Sequence, residues 1–197
     1  MADQQQLDLI RRGVLDWNKW RDDNPTILLD LTGADLSGMK LNEAHLSGAD
    51  LSYANLQRSY FYGGNFFGTN FSYANLSSAN FEKAALRQAN LTGTNLSETN
   101  LSEADLGDAI LEMANGQGVM FNRTHLDGAN LRQSIFPQAD FSRAELHGAD
   151  LNGADLHNAS LVRASLIGVD LSNANLSNAD LSGTDIIQTD LTNTDLH

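Results

Sequence analysis

Five histidines and twenty-five carboxylates are the side chains of this chain that could do chemistry. Histidine serves as a general base or a metal ligand, and carboxylates serve as acids, bases or hard ligands. There is no cysteine, so thiolate nucleophiles, disulfides and sulfur ligands are excluded and thiols leave the redox compartment undetermined. Serine and threonine abound, but a hydroxyl becomes a nucleophile only when a base is held beside it. Against 12 lysines and arginines the formal net charge is −13. That excludes a general nucleic-acid binder and a binder of anionic membranes, both of which need basic surface, and leaves protein partners with basic faces.

Whether any of these groups converge depends on the element that carries them. From Leu31 to Leu196 an apolar residue recurs at every fifth position, and of these 34 positions only Gly116 is not Leu, Phe or Ile. Two residues earlier stands a small side chain, alanine in 20 of 33 cases with Met39 the largest, and the residue between is usually Asp or Asn. The unit is Ala-(Asp/Asn)-Leu-x-x. A helix at about 100° per residue rotates the leucine by about 140° each repeat, and a strand flips it each time. Only a chain that turns a corner of about 90° per pentad keeps every leucine inside, so four pentads close one coil and coils stack about 4.8 Å apart. The narrow interior then has room for one large and one methyl-sized side chain per wall.

The run Asp170-Leu171-Ser172-Asn173-Ala174-Asn175-Leu176-Ser177-Asn178-Ala179-Asp180-Leu181 shows the pattern without a break, and residues 30–197 resemble the pentapeptide-repeat family. The resemblance implies a right-handed quadrilateral β-helix, here an all-β solenoid of about eight coils. It also implies a non-enzymatic interaction protein. The best understood members of the family resemble B-form DNA in size and charge and bind type II topoisomerases, conferring quinolone resistance, so an acidic DNA mimic acting on DNA gyrase is the alternative reading. This chain departs from them in lacking a long projecting loop and in interrupting its acid with Arg58, Arg87, Arg123, Arg132, Arg143 and Arg163.

A coil of four pentads adds a period of twenty, which places the chemical candidates. His45 and His125 share a column but lie four coils, about 19 Å, apart, while His147 and His157 project from opposite faces. No metal set, cofactor site or catalytic group is expected. On one column Asp30, Asp50, Asn70, Asn90, Ile110, Asn130, Asp150, Asp170 and Asp190 stack, and Asp150, Asp170 and Asp190 make an acidic rail whose mutual repulsion should raise a carboxyl pKa. Tyr53, Tyr60, Tyr62, Phe67 and Tyr73 point outward as a candidate partner surface. Ile167 and Ile187 form a smaller apolar strip. At Gly107 to Met120 the pattern is irregular: Gly116 takes the inward slot, Val119 the small one and Met120 the polar one. A bulge or distorted corner is expected there, with Met113 or Met120 folding in to fill the void.

Residues 1–29 read differently. Leu7, Ile10, Val14 and Trp17 fall at helical spacing with Leu15 and Trp20 close by, which predicts one amphipathic helix over 4–22, weakened by Gly13 and ended by Asp22-Asp23-Asn24-Pro25. Its apolar face suits a cap on the first coil. The N-terminus carries no secretory signal and no run long enough to cross a membrane, which predicts a cytoplasmic protein. At the other end the repeats simply stop, leaving Leu191 and Leu196 near an open coil. Two copies meeting there end to end would cover them, as in some members of the family. The sequence therefore reads as a rigid scaffold for an unidentified protein partner.

Overall fold

The structure, a computed structural model, describes residues 2–197. Two short helices precede a right-handed quadrilateral β-helix. Its ladder is a continuous series of parallel bridges between residues twenty apart, from Asp30 with Asp50 to Asn175 with Asp195. We number the walls by their inward columns: wall 1 carries Leu31 and Leu51, wall 2 Leu36 and Leu56, wall 3 Leu41 and Phe61, wall 4 Leu46 and Phe66.

The pentad accounts for all five of its backbone N–H groups, which explains its composition. In Ala49–Tyr53 the Ala49 N–H closes the corner onto the Leu46 carbonyl at 3.0 Å. The Asp50 N–H donates back one coil to the Leu29 carbonyl, while those of Leu51 and Tyr53 donate forward to the carbonyls of Asn70 and Ser72. The Ser52 N–H has no backbone acceptor and donates instead to Oδ1 of Asp50 at 2.9 Å. This is why Asp or Asn precedes the leucine: its short side chain turns back to satisfy the one N–H that the ladder leaves over. Each corner also needs a left-handed residue at its second outward position. Glycine fills many of these, but Tyr53 and Tyr73 stand there at φ of 59° and 58°, which costs a side-chain-bearing residue roughly 1–2 kcal/mol.

Inside, leucines and phenylalanines stack in register. Phe61 lies on Phe81 with ring centroids 4.8 Å apart, and Phe121 on Phe141 at 4.6 Å, both at the spacing of paired strands. Phe66 meets Phe61 edge-on at 5.3 Å, so rings from two walls interlock. Where Thr replaces the small alanine, its hydroxyl finds a backbone carbonyl: Thr69, Thr99 and Thr124 donate to Leu46, Leu76 and Leu101 of the preceding coil, and Thr94 to Leu91 of its own, each at 2.8 Å.

The irregular stretch differs from expectation in its ladder and its filling, while its corner is distorted as expected: among the described residues the Val119 N–H makes no bond to the Gly116 carbonyl. The ladder passes through it in register, with Asn95 bridged to Asn115 and Asn115 to Ile135, so there is neither bulge nor inserted loop. Met113 and Met120 remain exposed. Val119 fills the void, its Cγ2 lying 2.5 Å from where a Gly116 Cβ would stand. A β-branched side chain in the small slot already reaches the leucine's place, and no methionine has to fold in.

The N-terminal segment also differs. It forms two helices, α1 (Gln4–Ile10) and α2 (Val14–Asp23). Asp3 caps α1 through the amides of Gln5 and Gln6, and Gly13 breaks the path at φ +125°. The break lets both helices lie against the first coil, burying Leu7, Ile10 and Trp17 and partly burying Val14 and Trp20, while Leu15 stays 83% exposed. Trp17 and Trp20 are 5.5 Å apart, centroid to centroid.

These helices supply what a preceding coil would have supplied. Further along, the Asn65 N–H donates to the Ala44 carbonyl of the coil before; at the first coil, the His45 N–H donates to Asn18 Oδ1 at 2.9 Å instead. The Trp17 indole N–H donates to the His45 carbonyl at 2.9 Å, and Asn18 Nδ2 donates to that of Glu43 at 2.8 Å. On wall 1, Gln6 donates to the Leu28 carbonyl and accepts from the Asp30 N–H. Side-chain amides carry both a donor and an acceptor, so each closes two open edge groups of the coil.

Candidate functional site

The outward aromatics do not form one patch. Tyr53 and Tyr73 share the corner between walls 1 and 2 on adjacent coils and stack at 5.4 Å with planes 15° apart. Gly93 occupies the same corner one coil on, and its missing side chain makes the space: a Cβ there would lie 2.7 Å from Tyr73 Cε1. Tyr60 and Tyr62 flank buried Phe61 on wall 3, with the Lys83 ammonium 5.5 Å from the Tyr62 ring centre. Phe67 is on wall 4. A shift of five residues turns one corner, so neighbours in sequence are separated onto different walls. Only the twenty-residue pair, 65% and 53% exposed, presents two rings side by side. Ile167 and Ile187 occupy successive positions of wall 4, with Ile187 exposed.

The acidic rail is present in register, Asp150 bridging to Asp170 and Asp170 to Asp190. Its electrostatics run opposite to the sequence expectation where a shift is resolved. Hydrogen bonds from the Thr192 hydroxyl and then its backbone N–H hold the Asp190 carboxyl below the usual carboxylate range, and Ser182 does the same for Asp180. Both bonds favour the charged form and outweigh the desolvation that would raise the pKa. Asp150 is neutralised by Arg132, whose Nη1 lies 3.0 Å from Oδ2 and whose Nη2 reaches Asn152 at 3.2 Å. Arg132 is held above its ordinary pKa by that hydrogen bond.

Wall 4 carries an assembly that the spacing of the histidines alone does not reveal. His125 and Glu145 sit one coil apart in the slot that usually holds Asp or Asn, and His125 Nδ1 lies 2.9 Å from Glu145 Oε2. Beside them, Asp127 Oδ1 lies 2.7 Å from His147 Nδ1 and also accepts the His147 backbone N–H at 3.0 Å. That N–H would ordinarily be closed by an Asp or Asn at position 145; with Glu there, it crosses to the coil before. His147 Nε2 meets the Ser165 hydroxyl at 3.0 Å. One donor atom from each of His125, Asp127 and Glu145 lies within 4.8 Å of the other two. The signal was available in the sequence as three successive departures from Asp/Asn in one column, His125, Glu145 and Ser165. His45 and His157 are occupied elsewhere, with Asp22 at 3.0 Å and Asp155 at 2.8 Å.

Fold and surfaces together define a four-sided solenoid of the repeat-protein class, with a closed apolar interior and its polar groups on flat walls. Repeat models match nearly all of it: pentapeptide repeats in 8 copies over 99–136, 124–161 and 159–197, and a pentapeptide repeat region over 34–109. The chain belongs to the pentapeptide-repeat family. It is similar to HetL, a pentapeptide repeat protein involved in heterocyst differentiation regulation from the cyanobacterium Nostoc sp. strain PCC 7120. That likeness is 31% identity over 83% of this chain and 85% of that one, with a TM-score of 0.37. Rfr23 from the cyanobacterium Cyanothece 51142 is 27% identical over 65% of this chain and 91% of its own, with a TM-score of 0.30. Full-length QnrB1, a plasmid-mediated fluoroquinolone resistance protein, is 19% identical over 83% and 91%, with a TM-score of 0.44. Membership rests on the repeat models and on the identity to HetL rather than on superposition. Among curated proteins none matches the chain. Among the described residues, no helix is long and apolar enough to cross a membrane.

Proposed function

We propose that this protein is a non-enzymatic scaffold that presents rigid walls to a protein partner, with the Tyr53–Tyr73 corner as its anchor. The observation that carries the reading is the exposed, stacked ring pair, held on two pentads, 49–53 and 69–73, whose N–H groups all have acceptors. Aromatic anchors with two side-chain torsions lose little entropy on binding and dominate interface energetics. A formal charge of −13 favours a partner with a basic rim around that anchor. The apolar interior and convex walls support the absence of turnover, since catalysis draws on polar groups converging in a concavity. Immobilised protein should capture a partner from extracts of its native host, and Tyr53→Ser/Tyr73→Ser should lose that partner at unchanged melting temperature. Tyr62→Ser/Phe67→Ser, on walls 3 and 4, should retain it. Capture that survives the corner variant would refute the assignment.

The gyrase reading is the weaker one. Of the rail, Asp170 and Asp190 keep unpaired charge among the described residues while Asp150 is spent on Arg132. Absence of inhibition in a supercoiling assay at micromolar protein removes it. We also propose that two copies pair through the last described coil, where Leu191 and Leu196 are exposed. Light scattering at the mass of one chain would contradict that.

A further inference from the structure

We propose that His125, Asp127 and Glu145 on wall 4 form a binding site for a divalent transition-metal ion of the zinc type, with His147 as a positioning residue. Three features of the block point the same way. First, the donor set mixes one imidazole nitrogen with two carboxylates, which suits Zn²⁺, Co²⁺ or Ni²⁺ better than the all-oxygen shells of Mg²⁺ and Ca²⁺. Second, the donors already converge. His125 Nδ1 and Glu145 Oε2 are 2.9 Å apart and the three donor atoms lie within 4.8 Å of one another. Tetrahedral ligands on bonds of 2.0–2.1 Å stand about 3.3 Å apart, so side-chain rotation alone closes the shell. Third, the charge is unspent. Among the described residues, the only ion-pair partners of Asp127 and Glu145 are histidines, His147 and His125, and no lysine or arginine pairs with either. Arg87, two coils before Asp127 on this wall, is held by Asp105 and Asp108, and Arg123 and Arg143, at the adjoining corner, pair with neither carboxylate among the described residues.

The ladder makes the site rigid. The His125 N–H donates to the Ala104 carbonyl and that of Glu145 to Thr124, each at 3.0 Å, and the Leu126 N–H donates to the Glu145 carbonyl at 2.7 Å. Little backbone entropy is therefore lost on binding. His125 Nδ1 and Glu145 Oε2 are hydrogen-bonded at 2.9 Å, and the ion would take the place of that bond. His147 holds Asp127 through two contacts on one oxygen, from Nδ1 and from the backbone N–H, leaving Oδ2 to turn toward the ion. Water fills the fourth position, because the side chains are about half exposed, at 52% for His125 and 49% for Glu145.

Calorimetric titration of zinc chloride into the full, untagged chain at neutral pH tests this. The result expected is one equivalent bound at micromolar affinity, with Co²⁺ giving the visible bands of a tetrahedral nitrogen–oxygen shell. His125→Ala and Glu145→Gln should each weaken binding beyond the roughly ten- to hundredfold that outer partners contribute, and His147→Ala should fall within that range. His157→Ala, which removes a histidine paired with Asp155 on another wall, should bind as the unaltered chain does. Melting curves without metal establish that each variant folds, and Asp127→Asn replaces any that does not. No saturable binding by the unaltered chain, or unchanged binding after His125→Ala and Glu145→Gln, overturns the proposal.

Discussion

Restoring the repeat at its one break should destabilise the protein. Gly116 is the sole inward position without a large apolar side chain, so pattern alone recommends Gly116→Leu. The packing says otherwise. A Cβ at Gly116 would stand 2.5 Å from Val119 Cγ2 and 2.8 Å from the backbone carbonyl carbon of Leu96, and neither is the free end of a flexible side chain. Forcing a leucine into occupied space costs typically 1–3 kcal/mol. For a chain of this size each kcal/mol lowers the melting temperature by roughly 2–4 °C, so a fall of about 4–8 °C is expected from a cost of about 2 kcal/mol. Val119→Ala alone should also destabilise, by opening the space that its methyls fill. The double variant recreates the ordinary Leu-x-x-Ala spacing and relieves the Val119 contact but not the one to the Leu96 backbone, so it should melt above Gly116→Leu alone, making the pair non-additive. Melting of the four proteins, followed by circular dichroism, measures the cycle. A rise in melting temperature for Gly116→Leu alone, or a double variant no better than that single one, would refute the packing argument.

Two further outcomes follow from the hydrogen bonds of the coils. Asn18→Ala removes the partner of both the Glu43 carbonyl and the His45 N–H; it should cost about 1–2 kcal/mol in denaturant unfolding and speed exchange of the His45 amide selectively. Acid should weaken the fold. Asp30, Asp35, Asp180 and Asp190 are held below 3.8 in the folded chain, so their contribution is complete above that value and is lost as pH falls through the lower folded values. The urea midpoint should therefore drop between pH 5 and about pH 3. A midpoint that rises on acidification would mean that repulsion along the rail prevails instead.

The amount of this that the sequence discloses is set by the range of the interaction involved. Wall membership was legible because one leucine per pentad must point inward and nothing else in the unit competes for that place. The role of Asp/Asn as closer of the leftover N–H was not, because it depends on which four amides the ladder uses. The Thr192 hydroxyl, with that N–H bond second, reversed the expected direction of the Asp190 shift. Gly13 signals weakness in a helix, but only its φ of +125° turns one helix into two. Val119 was read as a small-slot oddity beside Gly116, although its second methyl is what fills the neighbouring void. The aromatics at 60, 62 and 67 are close in sequence yet on two walls, whereas 53 and 73 are distant and stacked. His125 and Glu145 are hidden for the same reason, since contact here runs in steps of twenty and pairs a histidine with a carboxylate of the next coil.

Every placement above depends on that step of twenty residues per coil. The chain has no cysteine, so paired nitroxide labels can be attached at Ser97/Ser177, Ser77/Ser177 and Ser37/Ser177, all in the same outward slot of wall 2, after substitution to cysteine. At about 4.8 Å per coil, pulsed electron–electron resonance should return narrow distances near 19, 24 and 34 Å, rising in proportion to the number of coils between the labels. Broad distributions, or distances that fail to grow by one coil spacing per twenty residues, would contradict the account.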